Sequence, residues 1–314
     1  MNALIFPGQG SQSVGMGLEF YNKFSLVKEV FKEADEILNF SISKIILEGP
    51  ADELQLTKNT QPAILTVSYS IFKVMKEVYK FNFKDFKFFA GHSLGEYSAL
   101  VCANGLSFHD AIYLLHERGK AMQEAVPVGK GSMIALLGED IKIIKKLIED
   151  TKLNEAGVCE IANDNADGQV IISGDFKSIE SFKLILNEKK IKFLPLKVSA
   201  PFHCSLMKSA AKKMKTEIEK KEFKNPLFDI VANVTAKSEN NSSKIKELLV
   251  EQISSTVKWR ESLNYMSRQG VNKFIEIGPG KVLSGMVKRT LKDANSFSIN
   301  KINDIENLNN EIRK

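Results

Sequence analysis

The sequence lacks the features of several protein classes. No apolar run approaches the roughly 18 residues that a membrane span needs. The start, MNALIFPGQGSQ, has neither the positive region nor the cleavage pattern of a signal peptide. The three cysteines, Cys102, Cys159 and Cys204, are far apart and form no CxxC pair, which argues against a disulfide framework and against a zinc site. We therefore expect a cytoplasmic protein with reduced thiols and no membrane contact.

The charge is positive but is not arranged for nucleic acid. The 314 residues include 44 Lys and Arg against 38 Asp and Glu, a net charge of +6. Its basic stretches lack interleaved aromatic side chains, and no recognised nucleic-acid-binding motif accompanies them. Two interpretations remain open: scattered lysines on solvated helix faces, as in residues 212–224, or a basic surface that attracts an acidic partner.

Three segments predict an α/β fold. ALIF (3–6), KFFA (87–90) and KFIEI (273–277) are short buried-strand patterns, and each runs into a glycine-containing loop. A recurring order of strand, glycine loop and helix is typical of a parallel sheet. With 43% hydrophobic residues the chain has the apolar surface for a large core.

Residues 129–198 follow a different pattern. Strand patterns at 132–137, 158–162, 169–173 and 191–198 alternate with helix patterns at 140–150 and 176–190, in the order βαββαβ. That order is typical of a ferredoxin-like unit. We therefore predict a large α/β-hydrolase-like domain with a parallel sheet (1–128 and 199–314) and a small inserted ferredoxin-like domain (129–198). Gly129, Gly131 and Pro201 are candidate hinges, and the cleft between the domains is the expected ligand site.

A nucleophile elbow is predicted at GHSLG (91–95). The segment matches G-x-S-x-G between a predicted strand and a predicted helix, which is the context that this motif requires. Its glycines allow a tight turn that exposes the Ser93 hydroxyl. The Leu94 N–H, at the helix N-terminus, can then stabilise an oxyanion. The alternative is a serine that only caps the helix.

Two further glycine loops do not match nucleotide-binding motifs. FPGQGSQ (6–12) is not a dinucleotide fingerprint, because Ser13 stands where the third glycine would be. Its glycines instead allow close backbone approach, so that the Gln9 N–H can be a second oxyanion donor. GPGK (278–281) lacks the spacing of a phosphate loop and is interpreted as a structural turn between strand and helix.

A serine nucleophile needs a base, and the chain has only four histidines. His92 adjoins the serine and should point away from it, while His109 and His116 lie on the polar face of a predicted helix and should face solvent. His203 remains, just past the small domain and facing the cleft. The alternative is a histidine that only closes a loop. Cys204 is the weaker nucleophile candidate because it adjoins the base.

Arg118 falls on the apolar face of the same predicted helix, among Ala111, Leu114, Leu115, Ala121 and Met122. A buried guanidinium is costly unless it meets a carboxylate. That carboxylate belongs either to an internal Asp or Glu, as a structural salt bridge, or to a ligand. In the second case Arg118 would select an acyl group that carries its own carboxylate, such as malonyl.

At these residues the chain resembles the malonyl-CoA:acyl carrier protein transacylases of fatty acid synthesis. The motifs that carry the resemblance are FPGQGSQ (6–12), GHSLGE (91–96), ERGKAMQ (117–123), PFHC (201–204), EQISSTVKW (251–259) and EIGPG (276–280). The resemblance implies Ser93 as nucleophile, His203 as base and Arg118 as partner of the malonyl carboxylate. It also implies Gln9 and Leu94 as oxyanion donors, and a main-chain carbonyl of Gln252 that orients the imidazole.

The implied reaction moves a malonyl group from malonyl-CoA to the phosphopantetheine thiol of an acidic acyl carrier protein, through a malonyl-serine ester. No metal or redox cofactor is implied, since the phosphopantetheine belongs to the carrier, and we expect a monomer. A serine hydrolase with the same elbow and a non-catalytic carrier-binding module are the rival interpretations. The chain departs from the family at Ser255-Thr256, where many relatives have Ser-Pro, and at Asp167, which replaces a proline or small residue.

Overall fold

The computed structural model describes residues 1–151, 153, 157–196, 198 and 200–312. In this part of the chain the strands are β1 (Asn2–Phe6), β2 (Phe86–Gly91), β3 (Gly131–Leu137), β4 (Cys159–Ala166), β5 (Gln169–Asp175), β6 (Lys192–Pro195), β7 (Asp229–Val231), β8 (Ser238–Glu239), β9 (Lys273–Ile277) and β10 (Asn295–Ile299).

The α-helices are α1 (Leu18–Lys23), α2 (Ser25–Leu38), α3 (Ile42–Glu48), α4 (Ala51–Gln55), α5 (Thr57–Lys73), α6 (Gly95–Cys102), α7 (Phe108–Glu124), α8 (Ile141–Asp150), α9 (Phe176–Glu188), α10 (Lys208–Glu219), α11 (Ser242–Gln252), α12 (Trp259–Arg268), α13 (Val282–Thr290) and α14 (Ile302–Ile312). A π-helical turn (Val74–Val78) continues α5, and a 3₁₀ turn (Ser205–Met207) precedes α10. None of the described helices combines the length and apolar character needed to cross a bilayer.

The large sheet confirms the predicted parallel arrangement. Its strands lie in the order β10-β9-β1-β2-β7-β8, and every neighbouring pair is parallel except β7 and β8. Side chains alternate across the buried strand β1. Leu4 and Phe6 belong to the core shared with α2, α5 and α7, while Ala3 and Ile5 belong to the core under α12 and α13. Helices therefore cover both faces, as a parallel sheet requires.

The small sheet is antiparallel, and its elements follow the predicted order βαββαβ. Its strands lie in the order β4-β5-β3-β6, with α8 and α9 in the connections. The strand predicted at 158–162 is too short, because β4 continues through the polar stretch Asn163-Asp164-Asn165 to Ala166. Two irregularities in its pairing with β5 accommodate this polar stretch, whose residues 163–166 are all buried.

The chain enters and leaves the small sheet at one place. An added Cβ on Gly131 would lie 2.3 Å from the Pro201 ring, so the two connecting segments are in direct contact. Only glycine fits at that approach. The predicted domain boundaries at 128/129 and 198/199 stay predictions, and residue 199 lies outside the described residues.

Candidate active site

The predicted elbow joins β2 to α6, with Ser93 at its tip. Ser93 has φ 53°, a left-handed conformation that is uncommon for any residue with a Cβ. Such strained backbone costs of order 1–3 kcal/mol and collects at functional sites. The turn also depends on Gly91 and Gly95. An added Cβ on Gly91 would lie 1.9 Å from the Gly95 carbonyl, and one on Gly95 would lie 2.3 Å from the Phe6 oxygen.

The serine faces His203, at the loop that follows the small sheet. The distance from Ser93 Oγ to His203 Nε2 is 2.8 Å. His203 Nδ1 lies 2.9 Å from the main-chain oxygen of Gln252, which can only accept. The proton therefore lies on Nδ1, and Nε2 is left free to accept from the serine hydroxyl. His203 itself has φ 57°, so both residues of this hydrogen-bonded pair have left-handed backbone.

Burial decides the charge of this histidine. His203 is buried, and burial together with the positive charge of Arg118 lowers its pKa to about 3. The imidazole is consequently neutral at physiological pH and is in the form that accepts a proton.

Arg118 is buried, as its position on the helix predicts, with 1% of its surface exposed. Its guanidinium donates to Gln61 Oε1 (2.7 Å), Gln252 Oε1 (2.8 Å) and Ser93 Oγ (3.1 Å). Among the described residues no carboxylate lies within salt-bridge distance of it, so the alternative of an internal salt bridge is wrong. Arg118 Nε has no hydrogen-bond partner among the described residues. The forked guanidinium group of Arg118 is thus held by neutral oxygen atoms, and it keeps N–H donors for an anion.

Behind the serine lies a buried polar network. Asn233 accepts from the Ser93 main-chain N–H through Oδ1 (2.7 Å) and donates to the Gly91 carbonyl (2.7 Å). Glu96 Oε2 accepts from the Asn233 main-chain N–H (3.1 Å) and from Gln252 Nε2 (2.8 Å). Burial raises the pKa of Glu96 to about 7, although these donors and Arg118 favour its charged form.

The loop before α1 contacts the elbow. The His92 N–H donates to the Phe6 carbonyl (3.0 Å), and an added Cβ on Gly8 would lie 2.6 Å from the His92 carbonyl. This contact brings Gln9 to the same pocket as Ser93 and Leu94. Within the described part of the chain, no acceptor is hydrogen-bonded to the main-chain N–H of Gln9 or Leu94.

The other three histidines are not hydrogen-bonded to Ser93 Oγ. His92 Nε2 lies 2.7 Å from Asn165 Oδ1 on β4, and burial lowers the pKa of its imidazole. His109 is exposed, as predicted. His116 is not simply solvent-facing, because it is half-buried and its Nδ1 lies 2.9 Å from the Lys58 carbonyl. Burial also raises the pKa of the Cys204 thiol to about 11, so it is not a thiolate.

A pocket of about 230 Å³ lies between the large and small sheets. One wall belongs to the large region of the chain (residues 1–128 and 200–312), and we call it the catalytic wall because it contains the Ser93–His203 pair. It consists of Gly8, Gln9, Gln61, His92, Ser93, Leu94, Arg118, Met122, Phe202, His203, Val282, Leu283 and Met286. Its small-sheet wall consists of Met133, Asn163, Asn165, Gln169, Ile171, Leu196 and Val198. The site therefore lies in the predicted cleft.

The turn at residues 278–281 connects β9 to α13, as interpreted from the sequence, and Glu276 at the end of β9 fastens the start of that helix. The buried carboxylate of Glu276 accepts the main-chain N–H groups of Leu283 (3.0 Å) and Ser284 (2.7 Å). It thus satisfies two donors at the start of α13. That helix contributes Val282, Leu283 and Met286 to the pocket, whereas the described residues 278–281 do not line it.

Polar contacts fasten the small sheet to the large region. Arg260 donates to both carboxylate oxygens of buried Asp164 (2.8 and 3.0 Å), and lies 3.5 Å from Asp167. Thr256 Oγ1 donates to the Ile161 carbonyl (2.6 Å). Two positions where the sequence departs from the family pattern, Thr256 and Asp167, thus take part in this junction.

Sequence reasoning missed Gln61, Glu96, Asn233 and the side chain of Gln252. Gln61 had one signal, since it opens the long apolar stretch PAILTVSYSIF of α5, where a buried amide needs a partner. Asn233 had none, because its segment carries no recognised motif. Glu96 belongs to the quoted motif GHSLGE, but its pattern does not show what it contacts.

The comparisons with known proteins agree with this geometry. A sequence model of the family described as "Acyl transferase domain" matches residues 3–307. The malonyl CoA-acyl carrier protein transacylase of Bacillus subtilis is 44% identical over 305 residues, covering 97% of this chain and 95% of that protein.

Solved structures extend the likeness to the fold. An acyl-carrier-protein-S-malonyltransferase from Bartonella henselae superposes with a TM-score of 0.95 and 42% identity, covering 100% of this chain and 99% of that one. A malonyl-transacylase in complex with a type II PKS acyl-carrier protein superposes with a TM-score of 0.92 and 39% identity, covering 97% of each chain.

Proposed function

The chain belongs to the malonyl CoA-acyl carrier protein transacylases of the acyl transferase family, and we propose that it transfers malonyl groups through Ser93. The donor is malonyl-CoA and the acceptor is the phosphopantetheine thiol of an acyl carrier protein, in fatty acid biosynthesis. One observation carries the proposal: Ser93 Oγ lies 2.8 Å from the neutral base His203 and 3.1 Å from a buried Arg118 that has no carboxylate partner among the described residues.

In the first half-reaction His203 Nε2 takes the proton of Ser93 as Oγ attacks the thioester carbon. The tetrahedral oxyanion accepts the N–H groups of Leu94 and Gln9, which have no other acceptor in the described chain. The C–S bond then breaks, and the coenzyme A sulfur takes the proton back from His203. The products are a malonyl-serine ester and free coenzyme A.

In the second half-reaction the phosphopantetheine thiol of the carrier enters the same pocket. His203 takes the thiol proton, the sulfur attacks the ester carbon, and the C–O bond to Ser93 breaks. The serine oxygen recovers the proton from His203. The enzyme returns to its starting state, so ping-pong kinetics are expected. In the two half-reactions every bond and proton is accounted for without a metal or redox cofactor.

Arg118 selects the acyl group in this proposal. Its planar fork matches a carboxylate, and a buried charge interaction is strong because water is excluded. Malonyl carries that carboxylate and acetyl does not. A bound carboxylate would also offset the positive charge that, together with burial, lowers the pKa of His203, and would thereby make the imidazole a better base.

The proposal is tested by mixing the purified protein with malonyl-CoA or acetyl-CoA, without carrier, and recording its intact mass. A malonyl adduct is expected on the wild type and not on Ser93→Ala. In Arg118→Ala the preference for malonyl over acetyl should disappear. Release of free malonate without an accumulating adduct would favour the hydrolase, and absence of both adduct and malonate would refute Ser93 chemistry.

Ser98→Ala is the matched control for the serine substitution. Ser98 is buried on α6, and its hydroxyl has no hydrogen-bond partner in the part of the chain that the structure describes. This variant should therefore form the adduct like the wild type. Loss of the adduct in Ser98→Ala would show that α6 is disturbed by any small change and that Ser93→Ala is uninformative.

The order β4-β5-β3-β6 and the elbow after β2 support the ferredoxin-like and hydrolase-like descriptions of the two regions. The predicted domain limits at 1–128, 129–198 and 199–314 are supported by the contact between Gly131 and Pro201. The monomeric state and the cytoplasmic location rest on the sequence alone.

A further inference from the structure

Glu96 is a buried carboxylate that the proposed reaction does not use. It lies in the first turn of α6, behind the serine, with 1% of its surface exposed. Among the described residues no cation lies within salt-bridge distance of it. Burying a carboxylate without a direct cation is costly. Its carboxylate is instead held by the neutral donors Asn233 and Gln252.

The contact of Glu96 with Gln252 fixes which way the Gln252 amide points. Glu96 Oε2 accepts both Gln252 Nε2 (2.8 Å) and the main-chain N–H of Asn233 (3.1 Å). Two donors converge on one oxygen, so this position requires an acceptor. The Gln252 NH₂ must face it, and a second donation to the Ser93 carbonyl (3.1 Å) favours the same orientation.

The other end of that amide holds Arg118. Gln252 Oε1 accepts from one terminal nitrogen of the guanidinium at 2.8 Å, and Gln61 Oε1 accepts from the other at 2.7 Å. If the Gln252 amide turned over, its NH₂ would face the guanidinium, donor against donor. The fork would then lose one of its two amide anchors, and its geometry decides whether a carboxylate is bound with two hydrogen bonds.

We propose that Glu96 is a positioning residue for acyl selection: it locks the Gln252 side-chain amide in the orientation that anchors Arg118. The inference rests on the proposed function, because it concerns the carboxylate that Arg118 binds there. Glu96 is not among the residues that line the pocket, and its carboxylate is hydrogen-bonded to neither Ser93 Oγ nor the His203 ring. The main-chain carbonyl of Gln252 orients His203 independently of this amide. Disturbing the amide should therefore affect selection of malonyl more than the chemistry common to all acyl groups.

The test compares Glu96→Leu with Glu96→Gln. Leucine removes the acceptor, whereas glutamine can place its carbonyl oxygen where Glu96 Oε2 lies. The readout is the ratio of kcat/KM for malonyl-CoA over acetyl-CoA, beside the thermal unfolding midpoint. Loss of a charge-assisted hydrogen bond predicts a fall of about ten-fold or more in this ratio for Glu96→Leu. Glu96→Gln should fall less, because an acceptor is restored.

Two further variants connect the effect to Arg118. Gln252→Met removes the amide but keeps the main-chain carbonyl, and should lower the ratio as Glu96→Leu does. In an Arg118→Ala background, Glu96→Leu should change the ratio no further. Substitution of a residue that merely supported the fold would lower kcat/KM for both substrates together. It would still do so in the Arg118→Ala background.

The outcomes separate the inference from the proposed function. If the wild type forms no malonyl adduct, the proposed function fails first. If the wild type forms the adduct but the ratio is unchanged in Glu96→Leu and Gln252→Met, the inference alone is overturned. An equal fall of kcat/KM for malonyl-CoA and acetyl-CoA also overturns the inference. If Glu96→Leu does not fold, Gln252→Met decides.

A matched control is Asp35→Asn. Asp35 also accepts two hydrogen bonds, from the main-chain N–H (2.8 Å) and the hydroxyl (2.5 Å) of Ser43, but it lies outside the pocket. Its substitution should leave the ratio unchanged even if it lowers the unfolding midpoint. A changed ratio in this variant would count against the inference, because general destabilisation would then account for the result.

Discussion

The two walls of the pocket hold their polar groups in different ways. On the catalytic wall Ser93, His203 and Arg118 contact one another or a shared buried network. Arg118 carries a positive charge, and His203 becomes charged when it accepts the serine proton in the proposed reaction. On the small-sheet wall the polar groups are neutral amides, such as Asn163 and Asn165, set among apolar side chains. That wall is fastened from behind by the ion pair of Arg260 with Asp164.

The difference predicts a division of labour. Fixed hydrogen bonds and a buried charge are what a reaction centre needs, because they stabilise charge that develops in the transition state. Neutral amides and apolar surface suit the binding of an uncharged arm of a substrate. Substitutions on the catalytic wall should therefore lower kcat, and substitutions that loosen the small-sheet wall should raise KM.

The largest effect is expected for His203→Ala. This change removes the group that takes the Ser93 proton, and serine proteases lose about 10⁴-fold or more in rate when a residue of the catalytic triad is removed. The measurement is the rate of malonyl transfer to the carrier thiol. His109→Ala is the matched control, since His109 is 64% exposed. If His203→Ala kept most of the wild-type rate, the catalytic wall would not be the reaction centre.

A smaller effect is expected for Arg260→Met, behind the small-sheet wall. It leaves the carboxylate of Asp164, which is 1% exposed, without its bidentate partner. The loss of this charge-assisted contact should cost about 1–3 kcal/mol of stability. Since Asn163 and Asn165 flank Asp164, KM for malonyl-CoA should rise while kcat changes little. Steady-state kinetics and thermal unfolding measure both.

Arg268→Met on the same helix is the control for this substitution, because Arg268 is exposed. It should change neither KM nor the unfolding midpoint. A fall in kcat with constant KM in Arg260→Met would break the proposed division, because the junction would then act on the reaction centre.

The same contrast explains what could be predicted from the sequence. Periodicity shows which helix face is buried, and this was enough to place Arg118 inside the protein. Periodicity does not show which residue of another element meets that face. The partners Gln61 and Gln252 are 57 and 134 positions away, and they supply amide oxygens where a carboxylate was expected.

The polar strand of the small-sheet wall shows the same limit. Asn-Asp-Asn looks like a turn, because these residues favour turns when they are considered alone. Strand β4 nevertheless continues through them, since Arg260 satisfies Asp164 and His92 satisfies Asn165. Long-range partners thus overrode the local preference, and only the fold brings those partners together.

The smallest expected effect is that of pH on the reactivity of Ser93. His203 has its pKa lowered to about 3, chiefly by burial and then by Arg118, so it should stay neutral while the pH falls through 6.5 and become protonated only near pH 3. The rate at which a small sulfonyl fluoride labels Ser93 should then be nearly constant between pH 5 and 8. Glu96, with a pKa of about 7, titrates in this range, so Glu96→Gln is measured in parallel. An inflection near pH 6.5 in both the wild type and Glu96→Gln would mean that His203 is hydrated like a surface histidine. Exclusion of water would then no longer distinguish the catalytic wall from the small-sheet wall.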